Sequence, residues 1–198
     1  METFGTEKRV DYGEMMKLIK ELLRIYKIPL LVSITLGVVI VALAVLKNPM
    51  DILAVFLASA IGTVFLDLDY FIYAYVTDVG KDFSKTLRGY IKYRDFSNAF
   101  SYIWYHREDI KEKTLQSVLF QVVIGAFSVF MIFAPLSFFI KALVLSIYVN
   151  SLYRLSERYF KGNIDGWFWV LKEKPSKKEV KIYLIASTLI FLVAIQFL

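Results

Sequence analysis

Long apolar runs limit this chain to very few folds. Several runs approach the roughly 20 consecutive apolar residues that a helix needs to cross a hydrocarbon core about 30 Å thick. Hydrophobic residues make up 58% of the 198 residues, and the mean hydropathy is +0.55. Because no segment has the alternating pattern of a strand, the sequence predicts an all-α integral membrane protein, a bundle of transmembrane helices.

Breaks between the apolar runs predict five membrane spans. The predicted spans are residues 28–46, 52–75, 115–134, 136–153 and 181–198. The first two are separated by "KNPMD", whose Pro favours a turn. The apolar stretch from Leu115 to Tyr153 is too long for one crossing, and "APLS" near its middle predicts a helical hairpin. Residues 1–27 precede the first span as an amphipathic segment.

Lys and Arg are concentrated on one side of these spans. The N-terminal segment and the segments 77–114 and 154–181 carry every Lys and Arg except Lys47 and Lys141. The positive-inside rule therefore predicts a cytoplasmic N-terminus, cytoplasmic loops 77–114 and 154–180, and a C-terminus outside. The expected location is the plasma or inner membrane of the cell.

Two of the cytoplasmic segments have the composition of a membrane interface. "EMMKLIKELLRIYK" at 14–27 repeats apolar residues at helical spacing opposite Lys and Glu, which favours an interfacial helix, the alternative being a helix packed on the other loops. Residues 83–105 interleave Phe, Tyr and Trp with Lys and Arg, as an interface belt does. The net charge of +6 predicts that the partners are the lipid bilayer, anionic headgroups and a membrane protein, with no nucleic acid.

Two carboxylates interrupt the second apolar run. Asp67 and Asp69 lie in "GTVFLDLDYFIYAYV", where an ionised Asp near the bilayer centre would cost about 2.5–3.5 kcal/mol. Counted from Asp51, the pair falls roughly 24–27 Å along the span, near its cytoplasmic boundary. Positions i and i+2 of a regular helix point about 200° apart. The pair therefore predicts either a break in the helix or a different neighbour for each carboxylate.

A metal site is one explanation of the two aspartates. His106, the single His of the chain, and the acids Glu108 and Asp109 approach the same layer from the next loop. Carboxylates with one imidazole suit Zn²⁺, Mn²⁺ or Mg²⁺, and such a metal could activate water against a lipid or phosphoester. The predicted metal ligands are Asp67, Asp69 and His106. The predicted catalytic base is Glu108 or Asp109.

Ion pairing is the other explanation. The same layer holds Arg107, Arg154 and Arg158, and an Asp paired with one of them would orient the bundle without doing chemistry. The chain has no Cys, which excludes thiolate ligands and a cysteine nucleophile. The sequence leaves the metal and the ion pair as alternatives.

The layout around these residues resembles a known family. "GTVFLDLDY", "HREDIKEKTLQSVLF" and "GWFWVLKEK", each beside an apolar span, resemble segments of the membrane-bound metal-dependent hydrolases related to an SOS-regulated inner-membrane protein. Asp67 and Asp69 match the two acids of that family's Pro-Asp-x-Asp-His type motif. His106 with Arg107 matches the start of its His-Arg-Gly-x-Thr-His-Ser motif. The resemblance implies metal-assisted hydrolysis at the cytoplasmic face.

Several positions depart from these motifs, as in a degenerate member of the family. Leu66 and Tyr70 stand where the first motif has Pro and His, and residues 114–117 lack the second motif's later His. Residues 150–154 contain neither the His nor the Asp of the family's later helix. Because the ligand set is incomplete, we expect a noncatalytic scaffold or subunit that binds partners or anionic lipid. The alternative is a metal-dependent hydrolase of lipid or phosphoester substrates.

Overall fold

The computed structural model describes residues 12–107, 109–110 and 112–198, and this part of the chain contains helices and no strand. In chain order the helices are α1 (Tyr12–Leu43), α2 (Pro49–Phe65), α3 (Leu68–Ile72) with a π-helical turn after it (Tyr73–Thr77), α4 (Asp82–Lys92), α5 (Phe96–Tyr105), α6 (Val118–Phe133), α7 (Phe138–Lys161) and α8 (Lys177–Gln196). The predicted all-α class is confirmed.

Three helices are long and apolar enough to cross a membrane. They are the Ile25–Leu43 part of α1, the whole of α7 and the whole of α8. α2 meets the same requirement only together with the helix that follows it, to which it is bent by 45°. α6 has 16 residues and is therefore about 24 Å long, shorter than a hydrocarbon core of about 30 Å. These lengths fit a membrane protein, and the number of five spans stays a prediction.

α1 joins two segments that the sequence predicts separately. The predicted boundary between the amphipathic segment and the first span lies at Ile28, yet the helix runs through Pro29 without ending. A Pro inside a helix removes the hydrogen bond to the carbonyl four residues earlier, and helices in membrane proteins tolerate this because their surroundings satisfy the freed group. The interfacial position of residues 14–27 stays a prediction, since most of their side chains lie outside the described part.

Both predicted breaks between spans are confirmed. Residues 44–48 leave the helix, and Asn48 caps α2 by accepting a hydrogen bond from the Met50 N–H at 3.1 Å. Residues 134–137 separate α6 from α7, and Ser137 caps α7. The "APLS" signal coincides with its turn, whereas the turn near "KNPMD" lies at 44–48, because Pro49 is already the first residue of α2.

α7 runs well beyond the predicted end of the fourth span. It ends only at Gly162, whose left-handed backbone (φ +74°) lets the chain turn away, a conformation that Gly adopts without steric cost. The last two turns of α7 carry Arg154, Glu157, Arg158 and Lys161. Since residues three and four apart lie on one helix face, this extension gathers four charges that the sequence had assigned to a loop.

α2 and α7 pack side by side in the same direction. Ser146 donates a hydrogen bond to the carbonyl of Ser59 at 2.7 Å, and Asp67 pairs with Arg154 further along both helices. Gly62 permits this close approach, because a Cβ there would lie 2.6 Å from the Ser146 Oγ. Small residues at such crossings let membrane helices pack closely.

α1 runs antiparallel to both helices and is joined to them by buried polar groups. Thr63 donates to the Ser33 hydroxyl at 2.7 Å, and the Asn150 amide donates to the same oxygen at 2.8 Å. Tyr26, about two turns earlier on α1, reaches Asp67. We call the buried group Ser33, Thr63, Ser146 and Asn150 the polar core.

The connecting segments gather at the end where α7 finishes. α4 and α5 cover the predicted segment 83–105 and pack on α3 and the π-helical turn through aromatic and aliphatic side chains. The segment 162–176 buries Trp167, whose carbonyl accepts a hydrogen bond from the Val118 N–H at 2.9 Å. This end of the bundle therefore holds those predicted functional residues that the structure describes, and Lys47 and Lys141 lie near the other end.

Candidate functional site

A break in the second predicted span places the two aspartates. α2 ends at Phe65, and Asp67 lies in the turn before α3, where its carbonyl accepts a hydrogen bond from the Tyr70 N–H at 3.2 Å. The helix is interrupted at Leu66 and Asp67, two residues before Asp69, as one of the two sequence alternatives requires. The two carboxylates also face different neighbours. The structure therefore shows both a break in the helix and a different neighbour for each carboxylate.

Asp67 is held in a bidentate ion pair. Arg154 donates from Nη1 to Oδ1 and from Nη2 to Oδ2, both at 2.8 Å, and the Tyr26 hydroxyl donates to Oδ2. The Arg154 and Asp67 side chains are only 16% and 8% exposed. Bidentate guanidinium–carboxylate pairs are among the strongest hydrogen-bonded contacts in proteins. The predicted pairing of an aspartate with Arg154 is therefore confirmed for Asp67.

Asp69 binds backbone amides instead of a basic side chain. Its Oδ1 accepts from the Thr114 N–H at 2.9 Å, and its Oδ2 accepts from the Gln116 N–H at 2.7 Å. The Gln116 side-chain amide donates in turn to the Leu66 carbonyl at 3.1 Å. Asp69 is 2% exposed, and it fixes the segment before α6 onto the start of α3.

His106 lies in an aromatic cluster at the end of α5. Its Nδ1 is 3.0 Å from the Tyr102 carbonyl oxygen, and the two rings lie 4.2 Å apart between centroids. Asp109 is exposed, and Glu108 lies outside the described residues. Within the described ranges, no group of three or more His, Cys, Asp or Glu side chains could hold a metal ion. The metal ligands and the base assigned from the sequence stay predictions.

A small pocket beside the ion pair is strongly basic. It has a volume of about 50 Å³, and we call it the basic pocket. The charged side chains among its described lining residues are Arg107, Lys113, Arg154, Arg158, Lys161 and Glu157. Glu157 is shared by Lys161 at 2.7 Å and Arg107 at 3.7 Å, and Arg154 is paired with Asp67. Among the described residues that line the pocket, basic side chains therefore outnumber acidic ones.

Lys113 is the most deeply buried of these cations, at 2% exposed. Its Nζ donates to the Tyr70 hydroxyl at 3.1 Å and to the Arg107 carbonyl. Burial, followed by repulsion from Arg158 and Arg154, lowers the pKa of Lys113 to about 7, because both effects disfavour the charged amine. The ammonium form of Lys113 is therefore poorly compensated at neutral pH.

A larger cavity of about 310 Å³ shares a wall with the basic pocket. The shared residues are Tyr70, Arg107, Arg154 and Glu157. The apolar side of this cavity is lined from α1 and α5 by Ile25, Ile28, Pro29, Phe100, Ile103 and Trp104. We call it the aromatic cavity. Its volume lies at the lower end of the range for ligand pockets. Because the two pockets share a wall, together they form a site with one basic end and one apolar end.

Sequence reasoning missed Lys113 and the polar core. Lys113 stands in the charged run "EDIKEKT", where nothing marks one Lys as buried. The polar core did leave a signal, since polar residues recur at every fourth position of two apolar helices, the spacing of one helix face. These residues are Ser59 and Thr63 on α2 with Asp67 in the turn that follows it, and Ser146, Asn150 and Arg154 on α7.

We predict that Asp67→Asn and Arg154→Gln each lower the free energy of unfolding by about 3–5 kcal/mol, because each leaves a buried charge without its partner. The double variant should recover part of that loss, since it removes both charges. Thermal unfolding of the protein in an uncharged detergent, measured for all four proteins, checks this. Strictly additive losses would show that the pair contributes no coupling energy.

Asp69→Asn is the matched control for this cycle. We expect it to destabilise the protein by about 1.5–3 kcal/mol, the range for hydrogen bonds to a charged group. Adding Arg154→Gln should give no recovery, because Asp69 is bound to the Thr114 and Gln116 amides. A recovery of stability in the double variant Asp69→Asn/Arg154→Gln would show that Asp69 interacts energetically with the Arg154 guanidinium.

Comparison with known proteins adds no relative: no family model, curated protein or solved structure matches this chain. The resemblance to the metal-dependent hydrolases accordingly stays a prediction. The functional interpretation depends on the two aspartates, the basic pocket and the aromatic cavity.

Proposed function

We propose that this protein is a noncatalytic multi-pass membrane protein, a scaffold or subunit that binds anionic lipid headgroups through its basic cytoplasmic face. The observation that carries the proposal is that both aspartates accept hydrogen bonds from other groups of the protein. Asp67 is occupied by Arg154 and Tyr26, and Asp69 by two backbone amides. Every carboxylate oxygen of the pair accepts at least one hydrogen bond from the protein, which supports a structural role for both aspartates.

The distribution of charge supports the lipid part of the proposal. The basic side chains of the pocket lie at the same end of the bundle as the exposed Lys residues of α4 and of the segment 162–176. Each well-placed basic residue near an anionic surface contributes about 1 kcal/mol of attraction. A membrane-protein partner could bind the same face.

The directions of the helices support five crossings. α1, α6 and α8 run away from the basic end, and α2 and α7 run toward it, as the contacts Tyr26–Asp67, Asp67–Arg154 and Gln121–Tyr183 indicate. In this arrangement the short α6 would cross by local thinning of the bilayer, and the longer bent unit of α2 and α3 would cross by tilting. The N-terminus would then lie in the cytoplasm and the C-terminus outside.

We predict that an impermeant maleimide will label Lys85→Cys and Lys172→Cys only from the cytoplasmic side, and Lys47→Cys only from outside. The chain has no native Cys, so each variant carries a single thiol. Lys85 is exposed, whereas the neighbouring Ser84 is fully buried and unsuitable for labelling. Labelling of Lys47→Cys and Lys85→Cys from the same side would contradict the proposed topology.

We predict that the purified full-length protein, placed in bilayer discs of mixed anionic and neutral lipid, retains anionic lipid preferentially and releases it as salt rises. The measurement is the composition of the lipid that co-purifies with the protein. Replacing Lys85, Lys92 and Lys172 by Gln should reduce the anionic excess, because all three are exposed at the basic end.

The matched control for this experiment lies at the other end of the bundle. Lys47→Gln/Lys141→Gln also removes positive charge, and it should leave the anionic lipid on the cytoplasmic side unchanged. Equal retention of neutral and anionic lipid by the wild type would contradict the proposed function. An equal effect of the two sets of substitutions would contradict the assignment of lipid binding to the basic face.

A further inference from the structure

Residues of α1, α5 and α7 line most of the aromatic cavity, and its walls are of two kinds. α1 and α5 supply the apolar side chains, among them Ile28 and Phe100. α7 supplies Tyr153, Arg154 and Glu157. A ligand that fills the cavity would therefore place an apolar part against α1 and α5 and a polar part against α7.

Pro29 leaves one backbone acceptor of the α1 wall without its helical partner. α1 continues through Pro29. Because Pro has no N–H, the carbonyl of Ile25, four residues earlier, lacks the hydrogen bond that another residue at position 29 would donate. Ile25 and Pro29 both line the aromatic cavity. In membrane helices such a freed carbonyl is satisfied by a neighbouring hydroxyl group or an ordered water, so this wall favours a ligand with an O–H donor.

Tyr153 and Glu157 offer further hydrogen-bonding groups on the α7 wall. Lys161 donates to Oε1 of Glu157 at 2.7 Å, and Arg107 lies 3.7 Å from the same oxygen. Within the described part of the chain, no hydrogen bond reaches Oε2 of Glu157 or the hydroxyl of Tyr153. A phenol can donate and a carboxylate can accept, so a second ligand hydroxyl would find both partners here.

The charged side chains of the cavity wall favour an uncharged head. Asp67 is paired with Arg154 at 2.8 Å, and Glu157 lies beside Arg107. Lys27, the remaining charged residue among the described lining residues, is exposed. A charged head would compete with pairs that are already formed, and breaking such a pair where it is buried is costly. Hydroxyl groups can bind without that competition.

The apolar side of the cavity lies where an alkyl chain would enter from the bilayer. Ile28 is 54% exposed and belongs to the part of α1 that is long and apolar enough to cross a membrane. Trp104 of α5 is 37% exposed in the same wall, and Trp is enriched where headgroups meet acyl chains. A single alkyl chain thus fits the apolar wall.

We propose that the aromatic cavity binds one uncharged amphiphile whose head carries two neighbouring hydroxyl groups, as the head of a monoacylglycerol does. One hydroxyl donates to the Ile25 carbonyl, the other bonds to Tyr153 and Glu157, and the alkyl chain lies against α1 and α5. This inference goes beyond the proposed function, because its ligand is uncharged and its site does not include the exposed Lys of α4.

Photolabelling of the full-length protein, in a detergent without hydroxyl groups, tests the proposal. The probe is octane-1,2-diol with a photoreactive diazirine on its chain, and the competitors are octane-1,2-diol and its isomer 1,2-dimethoxyhexane, which has no O–H. We expect one label per chain, on residues that line the aromatic cavity. The diol should displace the probe at about two- to tenfold lower concentration than the isomer for each hydrogen bond that its hydroxyls donate.

Two results of this competition would contradict the proposal. Label spread over the lipid-facing helices, or label that excess diol does not displace, would overturn the site. Equal displacement by the diol and the isomer would overturn the assignment of a hydroxylated head.

Pro29→Ala tests the contact with α1 without endangering the fold, because Ala is a better helix former than Pro. The new N–H can donate to the Ile25 carbonyl, so the affinity for the diol should fall by about two- to tenfold. The affinity for the isomer should not change, since an ether has no hydrogen to donate. An unchanged affinity for the diol would overturn the role of the Ile25 carbonyl.

Tyr153→Phe tests the contact with α7. It removes a donor that hydroxyl and ether oxygens can both use, so it should weaken the diol and the isomer alike, again by about two- to tenfold. Tyr105→Phe is the matched control, because Tyr105 is 77% exposed and is not among the residues that line the cavity. Equal weakening by Tyr105→Phe and Tyr153→Phe would overturn the site.

Discussion

The ion pair between Asp67 and Arg154 is the interaction on which this end of the molecule depends. It joins the broken end of α2 to α7, and the hydroxyl of Tyr26 ties α1 to the same carboxylate. Beneath it, the polar core joins the same three helices by hydrogen bonds between Ser33, Thr63 and Asn150. Removing one partner of such a buried group is costly in a low-dielectric environment, so the ion pair and the polar core together fix how the three helices meet.

Asp69 makes the second contact that joins separate segments at this end of the bundle. Because it binds the amides of Thr114 and Gln116, it holds the segment before α6 against α3. That segment carries Lys113, which is thereby placed beside Arg154 and Arg158 at the buried end of the basic pocket. The two aspartates that look like metal ligands in the sequence thus serve to assemble a cluster of cations. Among the described residues that line the basic pocket, Arg and Lys side chains outnumber carboxylates, which is the chemical character of the site.

The sequence predicted the helical class and the turns, because apolar run lengths and the breakers in "KNPMD" and "APLS" are local signals. It did not predict that α7 continues to Lys161, since a charged helix face on one side of a span resembles a loop in composition. The pair of Asp67 with Arg154 could be named as an alternative because both residues fall at the same depth. The partners of Asp69 could not, because a backbone amide has no signature in the sequence.

The central claim is that both aspartates are structural, and the metal content of the protein tests it most directly. The wild type, Asp67→Asn and Asp69→Asn are incubated separately with Zn²⁺, Mn²⁺ and Mg²⁺, freed of unbound metal and analysed for metal per chain. The account predicts far less than one metal per chain in the wild type and no difference between the three proteins. One metal per chain in the wild type, lost in both variants, would contradict it and restore the metal-dependent hydrolase.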